Sequence, residues 1–373
     1  MKNIIVVFGG ISQEHDVSVL TGVFTTNCVD KNLYRAVPVY IDKKGAWWTG
    51  DALKNVSFFK SIDFKKLRRV TLIDGDEGLY YLYHRKTIRA LDIACAINCL
   101  HGRNGEDGAL AGLMQMHGIP FASPDVFSAA ASMDKSNTKA VLSGLKIPVI
   151  PSVTVEKRDY YGDRKGLINR INEELGYPVI VKPCSSGSSI GISVARDENG
   201  LISALNKGFA FDERCLAEKY LVGADDINCA AYRYDGKIFV SDCERPRHSG
   251  DFLGFTDKYS SAKYGLQKEF PAKISESAAA LIKQTTERVY KEFGFRGIIR
   301  VDYLLLGENV YLNEINSSPG SLAYYLFCEK ISDFSLLLNK MIKQGMEDHL
   351  SKTNCLYDFE SDVLSFKGVR LKK

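Results

Sequence analysis

Strand-like and helix-like segments alternate along the 373 residues, and this alternation constrains the fold more than any other feature. Asn3 to Phe8 is a short β-branched run closed by Gly9-Gly10. The helix predicted after it carries Val17, Val19, Leu20 and Phe24 on its apolar side. Ala36 to Tyr40 and Ile93 to Leu100 read as further buried strands. Between them, Lys54 to Lys86 is irregular, with a hairpin expected over Leu72 to Tyr83 around Gly75-Asp76. Together these segments predict a first α/β domain. The length calls for two or three domains, because domains commonly run roughly 100–200 residues.

Ser123-Pro124 has the chemistry of a helix start, a capping hydroxyl followed by proline at the first helical position. A single helix is expected to continue through Ala129 to Leu142 and to end at Gly144. Tyr177 to Lys182 is a strand running into the turn Ser185-Ser186-Gly187-Ser188-Ser189, and strand and loop segments dominate from Glu218 onward. Three units follow: an N-terminal α/β domain over 1–123, a central one over 124–217 and a C-terminal one over 218–373. In the last, Gly297 to Leu306 and Asn309 to Ile315 read as paired strands joined at Gly307-Glu308.

Charge and cysteine usage narrow the function classes. The net charge is +4, from 49 basic and 45 acidic residues, which argues against a nucleic-acid or membrane partner. The basic tail Lys367 to Lys373 reads as a solvated terminus. No stretch approaches the ~18 apolar residues of a membrane span, and the N-terminus does not read as a signal peptide. Nine scattered cysteines without a C-x-x-C pair fit free thiols in a reducing compartment. A cytoplasmic protein is expected.

The strongest chemical cluster lies in Arg300-Val-Asp302 and Asn313-Glu314-Ile-Asn316. Alternate residues of a strand share a face, so Arg300 points with Asp302, and Glu314 with Asn316. Two carboxylates and an amide on one sheet face suit Mg²⁺, and a cross-strand charge ladder is the alternative. The turn Ser317-Ser318-Pro319-Gly320 then offers backbone N–H groups nearby.

Lys182-Pro-Cys-Ser-Ser-Gly187-Ser188-Ser189-Ile-Gly191 follows a strand directly. Small residues let the backbone close over a phosphate, and the lysine supplies a point charge. Lys135, early in its helix, could meet the same phosphates. Neither a P-loop nor a dinucleotide fingerprint is present. Two further glycine-rich stretches stand out: His101-Gly-Arg-Asn-Gly105-Glu-Asp-Gly108, and Gly9-Gly10-Ile-Ser12-Gln-Glu14 at a helix start.

In their order these motifs resemble the D-alanine–D-alanine ligase family of the ATP-grasp superfamily. They are GG-x-S-x-E in Gly9 to Glu14, LHG-x-x-GEDG in Leu100 to Gly108, MDK in Met133 to Lys135 and KP-x-x-x-GSS-x-G in Lys182 to Gly191. KY in Lys258-Tyr259, R-x-D in Arg300 to Asp302 and NE-x-N-x-x-PG in Asn313 to Gly320 complete the series.

The resemblance implies an α/β ATP-grasp fold behind a Rossmann-like N-terminal domain. It implies an enzyme that joins two D-amino acids through an acyl-phosphate for peptidoglycan precursor synthesis, acting as a homodimer. Lys135, Lys182 and Lys258 would hold ATP phosphates, Glu218, Tyr220 and Leu221 would seat adenine, and Asp225 would meet the ribose. Asp302, Glu314 and Asn316 would bind two Mg²⁺ ions, or Mn²⁺. Glu14, with Ser188, Tyr259 and His101, would hold the first amino acid, and Arg300 with the N–H of Gly320 would bind the oxyanion. Ser249 to Gly265 would form a lid.

Three positions depart from the family pattern: Cys184-Ser185-Ser186 in the phosphate loop, Phe255 in the lid, and Tyr325 with Leu326 where a small hydroxyl residue meets the acceptor carboxylate. The acceptor therefore stays open between D-alanine, D-serine, D-lactate and another amino acid. A non-catalytic ATP-binding regulator is the alternative from another class.

Overall fold

The β-branched run Lys2–Gly9 (β1) is buried from Ile4 onward, as a strand covered on both faces must be. The strands that follow are Tyr34–Ile41 (β2), Trp47–Thr49 (β3), Arg68–Thr71 (β4), Gly78–Tyr83 (β5), Lys86–Asp92 (β6) and Cys95–Asn98 (β7). They form one sheet in the order β6-β5-β4-β3-β2-β1-β7. β1 is parallel to both β2 and β7, and the remaining pairs are antiparallel. This computed structural model describes residues 1–246 and 268–355.

The stretch expected to be irregular thus supplies β4, β5 and part of the sheet edge. The hairpin expected around Gly75-Asp76 joins β4 to β5, with its first strand at Arg68–Thr71 and not at Leu72, and a second hairpin joins β5 to β6. Helix α1 (His15–Cys28) covers β1 with Val19 and Val23, while Leu20 is 50% exposed at the edge of that buried arc, on an open groove.

The single helix expected over 124–142 is two. After α2 (Ala109–Met116) come α3 (Val126–Met133) and α4 (Lys135–Gly144). Asp134 breaks the run: at φ −84°, ψ 112° it leaves the helical region, and its carboxylate accepts from the Asn137 N–H at 2.8 Å. Asp125, not Ser123, caps α3. The Ser123 hydroxyl instead accepts from the Asn98 N–H at 3.0 Å.

The second sheet, antiparallel, contains Ser152–Glu156 (β8), Val179–Pro183 (β9), Ser193–Ala195 (β10) and Arg214–Lys219 (β11) in the order β10-β9-β11-β8. Helices α5 (Lys157–Gly162), α6 (Arg164–Leu175) and α7 (Glu198–Gly208) pack Tyr160, Ile171 and Leu205 onto it. The third sheet holds Asp225–Tyr234 (β12) and Lys237–Val240 (β13). After the short pair Arg245–Pro246 (β14) and Lys268–Glu269 (β15), it is completed by Ile298–Leu306 (β16) and Asn309–Asn316 (β17), ordered β13-β12-β16-β17. Helix α8 (Glu276–Glu292) buries Ile282 and Val289 against this sheet. A division between 217 and 218 falls inside β11, and the chain changes sheets between Lys219 and Asp225.

The last helix, α9 (Ile331–Thr353), returns to the first sheet. Its Phe334, Leu338 and Met341 share one buried cluster with Ile4 and Val6 of β1, Ile97 of β7, and Tyr232 and Ile298 of the third sheet. Among the described residues no helix is long and apolar enough to cross a membrane, and all nine cysteines are free.

Candidate active site

The register of β16 with β17 places Arg300 opposite Asn316 and Asp302 opposite Glu314, so strand alternation brings the four onto one face. Arg300 donates to both oxygens of Asp302 at 2.7 Å, and Asn316 Nδ2 donates to Asp302 Oδ2 at 3.0 Å. Burial opposes a charge on Arg300, but Asp302 outweighs it and holds the guanidinium far above its usual range. A register irregularity between Asp302 and Tyr303 bends the strand beside this cluster. Among the described residues no group of three or more His, Cys, Asp and Glu side chains is gathered for a metal. The oxygen-rich pair Asp302 and Glu314, with the Asn316 amide, is the set that fits a hard divalent cation.

Between the second and third sheets lies a cleft of about 680 Å³, within the ~300–1,000 Å³ typical of ligand sites. Lys135 and Lys182 line it, as do Glu218, Tyr220 and Leu221 from the end of β11, and Asp302 and Glu314 opposite. Lys135 Nζ donates to the Ser186 carbonyl at 2.6 Å, and Lys182 Nζ donates to Asn313 Oδ1 at 2.9 Å. The Glu218 carboxylate is wholly buried and pairs with two lysines, Lys182 and Lys139. Burial alone would raise that carboxyl, yet the two ammonium groups hold it below its usual range.

Asp225 is not brought into this cleft. On β12 it lies opposite Leu305 and pairs with Arg245 at 3.1 Å, whereas the next residue, Asp226, opposite Leu304, is on the lining side. The sequence offers two adjacent aspartates, and only the register of β12 against β16 decides between them.

Glu14, at the start of α1, accepts a hydrogen bond from the Ser188 hydroxyl, so the first unit touches the serine–glycine loop after β9. Glycine is required on both sides of this carboxylate. A Cβ at Gly102 would lie 2.9 Å from Glu14 Oε2, and one at Gly187 would lie 2.5 Å from it. Gly102 also adopts φ +68°, and Ser188 and Ser189 take φ of 50° and 58°.

His101 is buried, and burial pushes its imidazole down to about 4, which keeps it neutral. Its Nε2 lies 2.9 Å from Thr21 Oγ1, which accepts from the Ser321 N–H at 3.0 Å. That amide belongs to a 3₁₀ turn over Gly320–Leu326, in which Ser321, Leu322 and Ala323 are left-handed. The Tyr325 hydroxyl accepts from Arg300 Nη1 at 3.4 Å, the Lys268 ammonium lies 4.3 Å from its ring centre, and Leu326 is buried. Lys258, Tyr259, Phe255 and the expected lid lie outside the described residues.

Sequence reasoning did not single out Glu106. Its carboxyl accepts from the N–H of Gly102 at 2.8 Å and from the N–H of Ser318 at 3.1 Å, tying the first glycine loop to the turn after β17. The motif LHG-x-x-GEDG contained it, but its partner Ser318 is remote in the chain.

A mixed-sheet domain, parallel where β1 meets β2 and β7, followed by two antiparallel sheets that close on a nucleotide-sized cleft defines an ATP-grasp protein. The chain belongs to the D-alanine–D-alanine ligase family, matching its "D-ala D-ala ligase N-terminus" over residues 3–124 and its "D-ala D-ala ligase C-terminus" over 141–347. That family comprises ATP-dependent carbon–nitrogen ligases acting on small amino acids.

A D-alanine–D-alanine ligase from Thermosipho melanesiensis is 32% identical over 371 residues, 98% of this chain and 99% of that protein. The D-alanine–D-alanine ligase structure from Coxiella burnetii aligns with a TM-score of 0.79 at 25% identity, covering 94% of this chain and 96% of that one. The VanG D-Ala:D-Ser ligase from Enterococcus faecalis gives 0.77 at 26%, covering 92% and 99%.

Proposed function

We propose that the chain joins D-alanine to a second D-amino acid, D-alanine first among them, with ATP converted to ADP and phosphate. The reaction would serve peptidoglycan precursor synthesis in the cytoplasm, and the protein would act as a homodimer. The observation that carries the reading is the Ser188–Glu14 hydrogen bond. It sets a carboxylate able to hold an ammonium group against the same loop whose Ser186 and Ser189 line the lysine-bearing cleft.

In this reading Lys135 and Lys182 bind the phosphates, Tyr220 and Leu221 flank adenine, and Asp226 is better turned toward the ribose than Asp225. Glu14 orients the donor so that its carboxylate attacks the γ-phosphorus in line, breaking the bond to ADP and forming an acyl-phosphate. The amine of the second amino acid then attacks the acyl carbon, and phosphate departs with its bonding pair. Arg300 and the Gly320 N–H stabilise the oxyanion, and neutral His101 supports the turn that follows Gly320 through Thr21. Two Mg²⁺ ions, or Mn²⁺, held by Asp302, Glu314 and Asn316 would neutralise charge on the phosphate oxygens. The lid assigned to Ser249–Gly265, with Lys258 and Tyr259, would exclude water.

Tyr325 favours a second reading of the acceptor. A ring held between Arg300 and Lys268 replaces the small hydroxyl expected there and alters the space for the incoming carboxylate. The D-Ala:D-Ser specificity of the Enterococcus faecalis neighbour supports D-serine as that alternative. Phosphate release from ATP with D-alanine alone, and with D-serine or D-lactate added, followed by product mass, separates these readings. Absence of D-alanine-dependent release with every acceptor would overturn the ligase reading.

A further inference from the structure

The carboxylate of Glu218 and the ammonium of Lys139 are buried, at 0% and 6% exposure, and stand 2.5 Å apart. Lys182, also 6% exposed, closes on the other oxygen of the same carboxylate. Lys139 projects from α4 one turn beyond Lys135, on the same side of the helix, and donates to the Ile150 carbonyl at 3.0 Å. Of the three charged groups, Lys182 and Glu218 line the cleft and Lys139 stands behind them.

Charge counting gives Lys139 a purpose. With Lys182 as its sole counterion, Glu218 would take up that lysine's whole charge, and the pair would present no surplus to a ligand. With Lys139 present the trio carries one net positive charge, and its cationic face toward the cleft is Lys182. A buried carboxylate that loses one counterion binds the remaining one more tightly, because little water is available to replace it.

We propose that Lys139 is a positioning residue for nucleotide binding, anchoring and neutralising Glu218 so that the Lys182 ammonium is available to phosphate oxygens. The inference rests on the assignment of this cleft to ATP. Lys139 stands behind the cleft lining, and Glu218 acts as the counterion that sets the Lys182 geometry. The buried lysine in MDK-x-x-x-K thus acts through a residue 79 positions later in the chain, Glu218.

The test compares the wild type, Lys139→Met and the charge-keeping variant Lys139→Arg. Mg·ATP affinity is measured by calorimetry without amino acids, and KM and kcat in the full reaction. In Lys139→Met the dissociation constant for ATP rises about tenfold or more, the scale of one lost charged hydrogen bond. KM for ATP follows it, while kcat stays within about threefold. Lys139→Arg, which keeps a cation beside Glu218, binds ATP within about threefold of the wild type.

A rise below threefold in Lys139→Met overturns the proposal. So does a Lys139→Arg variant as weak as Lys139→Met, which is what a lysine needed only for its shape would give. If Lys139→Met does not fold, Lys139→Gln, which removes the charge but keeps polar atoms beside Glu218, decides by the same limit. Wild-type protein that binds no ATP overturns the functional reading, and this proposal with it; the first titration distinguishes that outcome.

Discussion

At the scale of single residues, Glu106 carries the clearest pH signature. Burial, then the negative charge of Glu14, push its half-buried carboxyl up to about 8, against the amides of Gly102 and Ser318 that favour the anion. An unfolded glutamate titrates near about 4.3. Between those values the folded chain binds more protons than the unfolded one, so stability is fully present below the unfolded value and is lost as pH rises through 8. Glu106→Gln cannot ionise, and its amide leaves one N–H poorly matched. It should therefore melt below the wild type at pH 5, with the gap closing or reversing by pH 8.5; a pH-independent gap would exclude the titration. For Glu314→Gln, turnover should fall by more than about 100-fold with the melting temperature little changed, and full activity would refute the cation assignment. The contrast in legibility is physical. Arg300, Asp302, Glu314 and Asn316 were readable because a two-residue period fixes their common face, whereas Glu106 takes its meaning from Ser318, 212 positions away, and no local period encodes such a partner.

At the scale of elements, the break between α3 and α4 has the most consequence. Asp134 caps α4, and its other carboxylate oxygen accepts from Arg214 Nη1 at 2.9 Å. Lys135 is therefore the first residue of a fixed helix, with its ammonium aimed at the loop after β9. Asp134→Ala should cost about 1 kcal/mol of stability, the ordinary value of a lost cap, and should also raise KM for ATP. Thermal melts and steady-state kinetics check both, and an unchanged KM would show that the cap does not position Lys135. The sequence concealed this break because no glycine or proline falls between Val126 and Leu142 to mark it, although Asp134, Ser136, Asn137 and Thr138 are weak helix formers. An aspartate inside such a run reads as an exposed helical residue until its side chain is seen to turn back on the backbone. Adjacent aspartates at 225 and 226 hid the cleft-facing acid in the same way, since the strand period was clear but its phase was not.

At the scale of the whole molecule, α9 joins the units that carry the site. Leu338, fully buried, belongs to the cluster shared by β1, β7 and the third sheet, and Arg233 of β12 donates to both oxygens of Asp348 in α9 at 2.7 Å. Leu338→Ala should cost about 2–5 kcal/mol and lower one common transition. Separate unfolding of the N-terminal and C-terminal parts in that variant, followed by fluorescence and circular dichroism, would contradict this coupling. The three-unit plan was legible in the alternation of elements, but not the return of the C-terminal helix to the first sheet, which no motif marks. The hydrogen bond from Ser188 to Glu14 spans 174 positions, and Asp302 and Glu314 come later still. On the ribosome, then, Glu14 is made long before the groups that complete its pocket. A nascent or truncated chain holds only fragments of the machinery, so vectorial synthesis itself delays nucleotide consumption until nearly the whole polypeptide has emerged.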